Sequence, residues 1–286
     1  MGLISVAELA ARLGSANLRV ADVRWYLGRA GGGRAAYDAG HLPGALFVDL
    51  DDDLSDPAGY GAPGRHPLPA PLVFRRRMEE KGISSTDLVV AYDDQGGAMA
   101  ARLWWMLDNL GHRGGVAVLD GGIQAWTATG QPLSTASPTY ARGALELDDH
   151  WSNVIARPEL AARLGTLRVL DARAPERYRG EVEPIDPVAG HIPTALSAPT
   201  GANLDAAGRF QSPVALRTRY SALVVAGQPV ATYCGSGTTA CHNVLAMRLA
   251  GLPDPILYVG SYSDWSRSGM PVAVGPEPGN PPDQPR

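Results

Sequence analysis

Short apolar runs alternate with longer stretches of helical periodicity along most of this chain. "PELAARL" (158–164) carries apolar residues three and four apart, the spacing of one helix face. "LRVLDAR" (167–173) and "PVATYC" (229–234) are apolar runs short enough for strands buried on both faces. "TTACHNVLAMRLAG" (238–251) returns to a helical pattern, and Gly251 ends it. "ILYVGSYSDWSRSG" (256–269) reads as a strand and then a short helical turn. Strands alternating with helices predict an α/β architecture, a mainly parallel sheet with helices on both faces.

The pattern occurs twice. "ELAARLG" stands at 8–14 and again at 159–165, and "LRVADVR" (18–24) returns as "LRVLDAR" (167–173). "AGHLPGA" (39–45) returns as "AGHIPTA" (189–195). Residues 90–111 lie without a gap on residues 230–251. Matches in one order at a nearly constant offset mark a tandem duplication. The join falls within 128–150, rich in turn formers, and the Pro- and Gly-rich residues 275–286 read as a disordered tail.

Composition narrows the function classes. The chain has 286 residues, more than one ordinary core organises, with 45% hydrophobic and 19% charged residues. A net charge of -4 offers no basic field for nucleic acid or an anionic membrane. Lys81 is the only lysine, so basic charge is almost all arginine, as a GC-rich genome would produce. No apolar run reaches membrane-spanning length, and residues 1–13 lack the basic start of a signal peptide. The two cysteines, Cys234 and Cys241, make no disulfide framework, which fits a reducing cytoplasm.

Cys234 ends an apolar run and precedes "GSGTTA". The C-terminal edge of a parallel strand is where such sheets place ligands. Gly235 and Gly237 let main-chain N–H groups converge, and with the positive end of the next helix they form an anion nest. A thiolate there is stabilised and nucleophilic, and a persulfide anion is held equally well. A buried structural cysteine is the plainer alternative, and Cys241, among apolar helix residues, reads that way. In the gapless alignment of the copies Asp94 stands opposite Cys234. One copy thus lacks the nucleophile, so the thiol is not a requirement of the fold. His41 and His191 occur in both copies of A-G-H-[LI]-P and read as structural.

As a set, "AGHLPGA", "AGHIPTA", "LDGGIQAW" and "YCGSGTTACH" resemble the rhodanese superfamily in its tandem form, over about residues 5–274. The resemblance implies an inactive rhodanese-like domain over 1–135, a linker at 136–150 and a catalytic domain over 151–274. Cys-Gly-Ser-Gly-x-Thr-Ala resembles the loop of 3-mercaptopyruvate sulfurtransferases, whereas thiosulfate-specific members carry basic residues after the cysteine. It implies Cys234 as nucleophile and a proton relay of Ser236, His66 and Asp51, with Asp49 close enough in sequence to be confused with Asp51. Gly235, Gly237, Thr238 and Thr239 would line the donor site, and Arg177 would hold the donor's carboxylate. A second family arginine has no counterpart in "EVEPIDPVAG"; Arg179 or Arg65 stands to replace it.

The implied partners are a small-molecule sulfur donor and a thiol acceptor such as thioredoxin, or cyanide, without nucleic acid or membrane. No cofactor is implied. Thiosulfate is the alternative donor, and a non-catalytic sulfur carrier the alternative class. A phosphatase on a related fold needs Cys-x5-Arg, but the sixth residue after Cys234 is Ala240. Cys234, Cys241 and His242 lack zinc spacing, so no metal site is expected.

Overall fold

The computed structural model describes residues 2–57 and 63–282. The chain divides into two compact units. In the N-terminal unit the elements are β1 (Leu3–Ile4), α1 (Val6–Ala10), β2 (Leu18–Asp22), α2 (Gly32–Ala39), β3 (Ala45–Phe47), α3 (Pro71–Glu80), β4 (Leu88–Tyr92), α4 (Ala100–Asn109), β5 (Val116–Leu119) and α5 (Gly122–Ala128). In the C-terminal unit they are β6 (Val154–Ile155), α6 (Arg157–Ala162), β7 (Arg168–Asp171), α7 (Pro175–Tyr178), β8 (Ala195–Ser197), a 3-10 turn (Thr200–Asn203), α8 (Pro213–Ser221), β9 (Val230–Tyr233), α9 (Ala240–Leu249), β10 (Ile256–Tyr258) and α10 (Ser261–Trp265).

Each unit builds one five-stranded sheet, in the order β1-β5-β4-β2-β3 and β6-β10-β9-β7-β8. Every pair is parallel. Side chains alternate along each strand, so each sheet buries two faces. Val20, Val90 and Ala117 pack with Leu9, Tyr37 and Trp126 of α1, α2 and α5. Their neighbours Val89, Ala91 and Val118 are equally buried, and α4 lies against β4 and β5. In the second sheet Val169, Ala231 and Tyr233 pack with Leu160, Tyr262 and Trp265, while α9 lies against β9 and β10 beside α8. The alternating α/β pattern of the sequence is the architecture observed.

The repeated motifs are structural devices. Arg24 pairs with Asp22 at 2.6 Å and donates to the Gly40 carbonyl at 2.7 Å. Arg173 pairs with Asp171 at 2.6 Å and donates to the Gly190 carbonyl at 2.6 Å. Each buried pair ties the end of a central strand to the A-G-H turn. The adjoining histidines stack on tyrosines, His41 on Tyr37 at 3.9 Å and His191 on Tyr178 at 3.8 Å. These contacts account for the histidines' presence in both copies.

Four stretches differ from the sequence reading. Residues 57–68 group with the C-terminal unit and residues 206–210 with the N-terminal one. Residues 136–150 are not a free linker: the Gly143 N–H donates to the Glu79 carbonyl at 2.8 Å and Ser85 N–H to the Ala144 carbonyl at 3.0 Å. The tail is bonded too, through Gly275 N–H on the Arg179 carbonyl (2.9 Å) and His191 Nε2 against the Glu277 carbonyl (3.1 Å). Composition reads the tail as disordered because it does not register main-chain hydrogen bonds to distant elements. Residues 283–286 of the tail, and Met1 and 58–62, lie outside the described residues.

The copies also differ by one residue at the loop that matters. Helices α4 and α9 keep the gapless offset, since 240 − 100 = 140. Strand register gives a larger one: Asp22 faces Tyr92 and Asp171 faces Tyr233, and 233 − 92 = 141. Equivalent hydrogen bonds agree: Ile123 N–H donates to the Asp93 carbonyl and Tyr262 N–H to the Cys234 carbonyl, both at 3.0 Å. Asp93, not Asp94, therefore occupies the place of Cys234, and the first loop is one residue longer. The wholly buried Asp93 carboxylate accepts four main-chain N–H groups, from Gln95 and Gly97 (both 2.8 Å), Met99 (2.7 Å) and Ala100 (2.9 Å). Burial pushes its pKa up, and the four amides oppose that shift.

Asp93→Ala leaves those donors without their acceptor in a buried loop. Chemical denaturation should show the N-terminal unit destabilised by about 3 kcal/mol or more, given ~1–3 kcal/mol per unsatisfied buried group and some relief from entering water.

Candidate active site

Strand β9 ends at Tyr233 and delivers Cys234 to the carboxyl edge of the second sheet. The thiol is 1% exposed. Gly237 turns the chain with φ +81, and its N–H donates to Cys234 Sγ at 3.1 Å. Only glycine fits there: a Cβ would stand 2.4 Å from the Val259 carbonyl oxygen. The helix α9 then begins at Ala240, so the loop lies before a positive helix end. The position that holds sulfur here holds a carboxylate in the first copy. Both copies thus aim main-chain donors at one electronegative group.

The turn from β10 into α10 braces the loop. Ser261 Oγ accepts the Cys234 N–H at 3.2 Å and donates to the Tyr258 carbonyl at 2.8 Å. Ser263 N–H reaches the Gly235 carbonyl at 2.9 Å. Ser261 adopts φ 54, an uncommon conformation for a residue with a side chain. Sequence reasoning missed it, because nothing in "VGSYSDW" marks that hydroxyl as a partner of Cys234.

His66 enters from segment 57–68 of the same unit. Its Nδ1 lies 2.7 Å from Ser236 Oγ and 3.5 Å from Thr238 Oγ1, and both His66 and Ser236 are buried. The neighbouring Arg65 anchors its N–H on Ser263 Oγ at 3.1 Å and its guanidinium on Asp186. Arg177 is held by Glu183 at 2.7 Å and Asp186 at 3.3 Å. Burial opposes ionisation of Glu183, but Arg177 and the Asp186 and Ile185 amides outweigh it and hold its carboxyl below the usual range. Asp186 and Glu183 were not singled out from the sequence; the acidic run in "EVEPIDP" was the available signal.

Cys234, Gly235, Ser236, Gly237, Thr238, His66 and Arg177 of the sequence reading are therefore neighbours. Arg179 is not among them: it pairs with the exposed Glu181 at 2.6 Å. Thr239 stands at the start of α9 and makes no side-chain cap. Cys241, buried within α9, donates from Sγ to the Gly237 carbonyl at 3.5 Å. Asp51 and Asp49 belong to the N-terminal unit, where their roles separate. Asp49 accepts the N–H groups of Asp51 and Asp52 at 2.8 and 3.0 Å, whereas Asp51 accepts the Trp25 indole N–H at 2.8 Å.

The pattern of the rhodanese-like domain matches residues 5–129 and 156–268, one match per sheet. This chain belongs to the rhodanese-like family. It is 47% identical over 279 residues to a Pseudomonas aeruginosa protein named "Probable 3-mercaptopyruvate sulfurtransferase", covering 96% of this chain and 98% of that one. It is 33% identical over 263 residues to the thiosulfate sulfurtransferase of Rattus norvegicus, covering 89% and 87%. The solved 3-mercaptopyruvate sulfurtransferase of Leishmania major superposes with a TM-score of 0.83 at 30% identity, over 94% of this chain and 75% of that chain.

In this rhodanese-like site the Gly237 amide is the loop's direct hold on the sulfur. Gly237→Ala meets the Val259 carbonyl and strains a left-handed φ, so the amide must move. Alkylation of Cys234 by iodoacetamide should slow by about tenfold or more, the effect of ~1–2 kcal/mol of backbone strain on the loop. Unchanged alkylation would separate this amide from the reactivity of the thiol.

Proposed function

We propose that this protein is a sulfurtransferase that takes sulfur from 3-mercaptopyruvate, carries it as a persulfide on Cys234, and passes it to a thiol or to cyanide. The observation that carries the donor assignment is the buried hydrogen bond between Ser236 and His66, 2.7 Å long, two residues beyond the nucleophile. A sulfonate donor needs cationic charge at that place. A donor that leaves as an enolate needs a proton instead, and a serine paired with a histidine supplies one.

The electrons balance in two steps. The Cys234 thiolate attacks the donor's thiol sulfur; an S–S bond forms and the C–S bond breaks, its electron pair passing to the carbon as pyruvate enolate. Ser236 and His66 deliver the proton that turns the enolate into pyruvate. An acceptor thiolate then attacks the outer sulfur of the Cys234 persulfide, regenerating the Cys234 thiolate and leaving an acceptor persulfide. Gly235, Gly237 and Thr238 shape the pocket, and Arg177 receives the carboxylate.

Thioredoxin is the acceptor this reading favours, in a cytoplasm that keeps Cys234 reduced; both cysteines are free thiols. No helix among the described residues is long and apolar enough to cross a membrane. The likeness to a thiosulfate sulfurtransferase keeps one second reading in play, thiosulfate as donor to the same Cys234. Relative kcat/KM for the two donors decides between them.

Intact-protein mass spectrometry after treatment with 3-mercaptopyruvate should find the chain heavier by one sulfur, and Cys234→Ser should abolish the addition. A turning-over enzyme whose Cys234 stays unmodified would refute the mechanism. Ser236→Ala and His66→Asn should each lower kcat with 3-mercaptopyruvate by roughly 10²-fold or more, the usual worth of a positioned proton donor. Turnover of thiosulfate, which needs no such proton, should change far less. Equal losses with both donors would remove the relay.

A further inference from the structure

The 2.7 Å bond between His66 and Ser236 joins two segments far apart in the chain. A bond that short needs both backbones held in register. One residue reaches both. Ser263 lies in α10, the helical turn after β10, and is wholly buried. Its main-chain N–H donates to the Gly235 carbonyl at 2.9 Å, one residue before Ser236. Its Oγ accepts the Arg65 N–H at 3.1 Å, one residue before His66. The same hydroxyl donates to the Gly260 carbonyl at 3.0 Å, so its proton is committed there and a lone pair is left for Arg65.

The arm that carries His66 can lie on this turn because two glycines face each other. A Cβ on Gly64 would stand 2.9 Å from the Gly260 carbonyl oxygen and 3.4 Å from Ser263 Oγ. A Cβ on Gly260 would stand 3.0 Å from the Pro63 carbonyl oxygen. A side chain at either place would lift the arm off the turn and draw the Arg65 N–H away from its acceptor. Arg65 also ties its guanidinium to Asp186, but through a long side chain that leaves its own backbone freer than a bond at the main-chain N–H does.

The first copy shows what the serine adds. Ile123 and Tyr262 make equivalent hydrogen bonds, so Gln124 is the counterpart of Ser263. Gln124 is exposed, and its side-chain amide donates to the Asp94 carbonyl at 2.7 Å. There a side chain steadies the loop. In the second copy the main-chain N–H of Ser263 does so, which frees the side chain to act as an acceptor for the arm.

We propose that Ser263 is the positioning residue of the proton relay, a bracket that sets His66 on Ser236 by holding the residue before each. The proposal rests on the relay read above and names the group that fixes its geometry. Ser263 touches neither Ser236 nor His66 through its side chain; it acts through the backbones of their neighbours.

Ser263→Ala removes the acceptor and keeps the main-chain bond to Gly235. With 3-mercaptopyruvate, kcat should fall by about tenfold, the scale of a small misplacement of a reacting group, with KM little changed. Ser263→Thr keeps a hydroxyl and should recover most of the loss. Thiosulfate turnover should fall far less than turnover of 3-mercaptopyruvate. Ser236→Ala supplies the control: with that hydroxyl gone, adding Ser263→Ala should lower kcat by no more than about twofold, whereas damage spread through the fold would add in full. In the resting protein, nitrogen NMR should find the His66 ring signals of Ser263→Ala moved toward their positions in Ser236→Ala. His66 signals that stay at their parent positions overturn the proposal. So does an unchanged kcat in an enzyme that uses 3-mercaptopyruvate, or a loss that persists in full without Ser236. His66 signals that move as expected in a protein that never loads sulfur from 3-mercaptopyruvate would keep the bracket and overturn the donor reading instead.

Discussion

A loop that turns its main-chain N–H groups onto one electronegative atom is the constraint from which this structure follows. The first copy makes it visible, because Asp93 fills the nest with a carboxylate that takes four amides. The second copy places Cys234 sulfur at the same sheet edge, with the Gly237 amide on it. Fixed amide dipoles need no reorganisation when charge appears on the sulfur, and the nest costs nothing further at the moment of reaction. Duplication thus left two versions of one anion receptor. In one the group held is a buried carboxylate; in the other it is a thiol sulfur.

Around that sulfur the C-terminal unit assembles groups of opposite character. Ser236 and His66 form a buried hydrogen-bonded pair. Arg65 and Arg177 bring positive charge to Gly235, and buried Asp186 and Glu183 limit how much of it is uncompensated. A buried carboxylate that pairs with several arginines is poor evidence of stability, since desolvation offsets much of the attraction. It does fix direction. Arg65 Nη1 and Arg177 Nε and Nη2 are spent on these anchors, which leaves Arg65 Nη2 and Arg177 Nη1 beside Gly235.

Much of the fold was legible in the chain. Short apolar runs, helical periodicity and the twofold repeat give two parallel α/β sheets, because side-chain spacing follows local backbone geometry. The Gly-rich turn after Cys234 was legible for the same reason. The one-residue slip between Asp93 and Asp94 was not legible, since a gapless alignment of the helices hides an insertion in the loop before them. The pairing of His66 with Ser236 came from resemblance and not from spacing. Asp186 showed only as part of the acidic run in "EVEPIDP", and Ser261 carried no signal at all, because the bond of Ser261 to Cys234 spans 27 residues.

The sequence by itself determined the elements, the duplication and the glycine-rich turn after Cys234, all properties of short-range pattern. Tertiary structure decided which groups meet that sulfur. Residues 63–68 fold with the C-terminal unit, so His66 and Arg65 reach the loop across a separation of about 170 residues. It also decided that Arg65, and not Arg179, faces Gly235: Asp186 is buried within reach of Arg65, while Arg179 finds Glu181 in solvent first. Local pattern fixes which residues can be buried. Only the packed chain fixes which buried charge each arginine must neutralise.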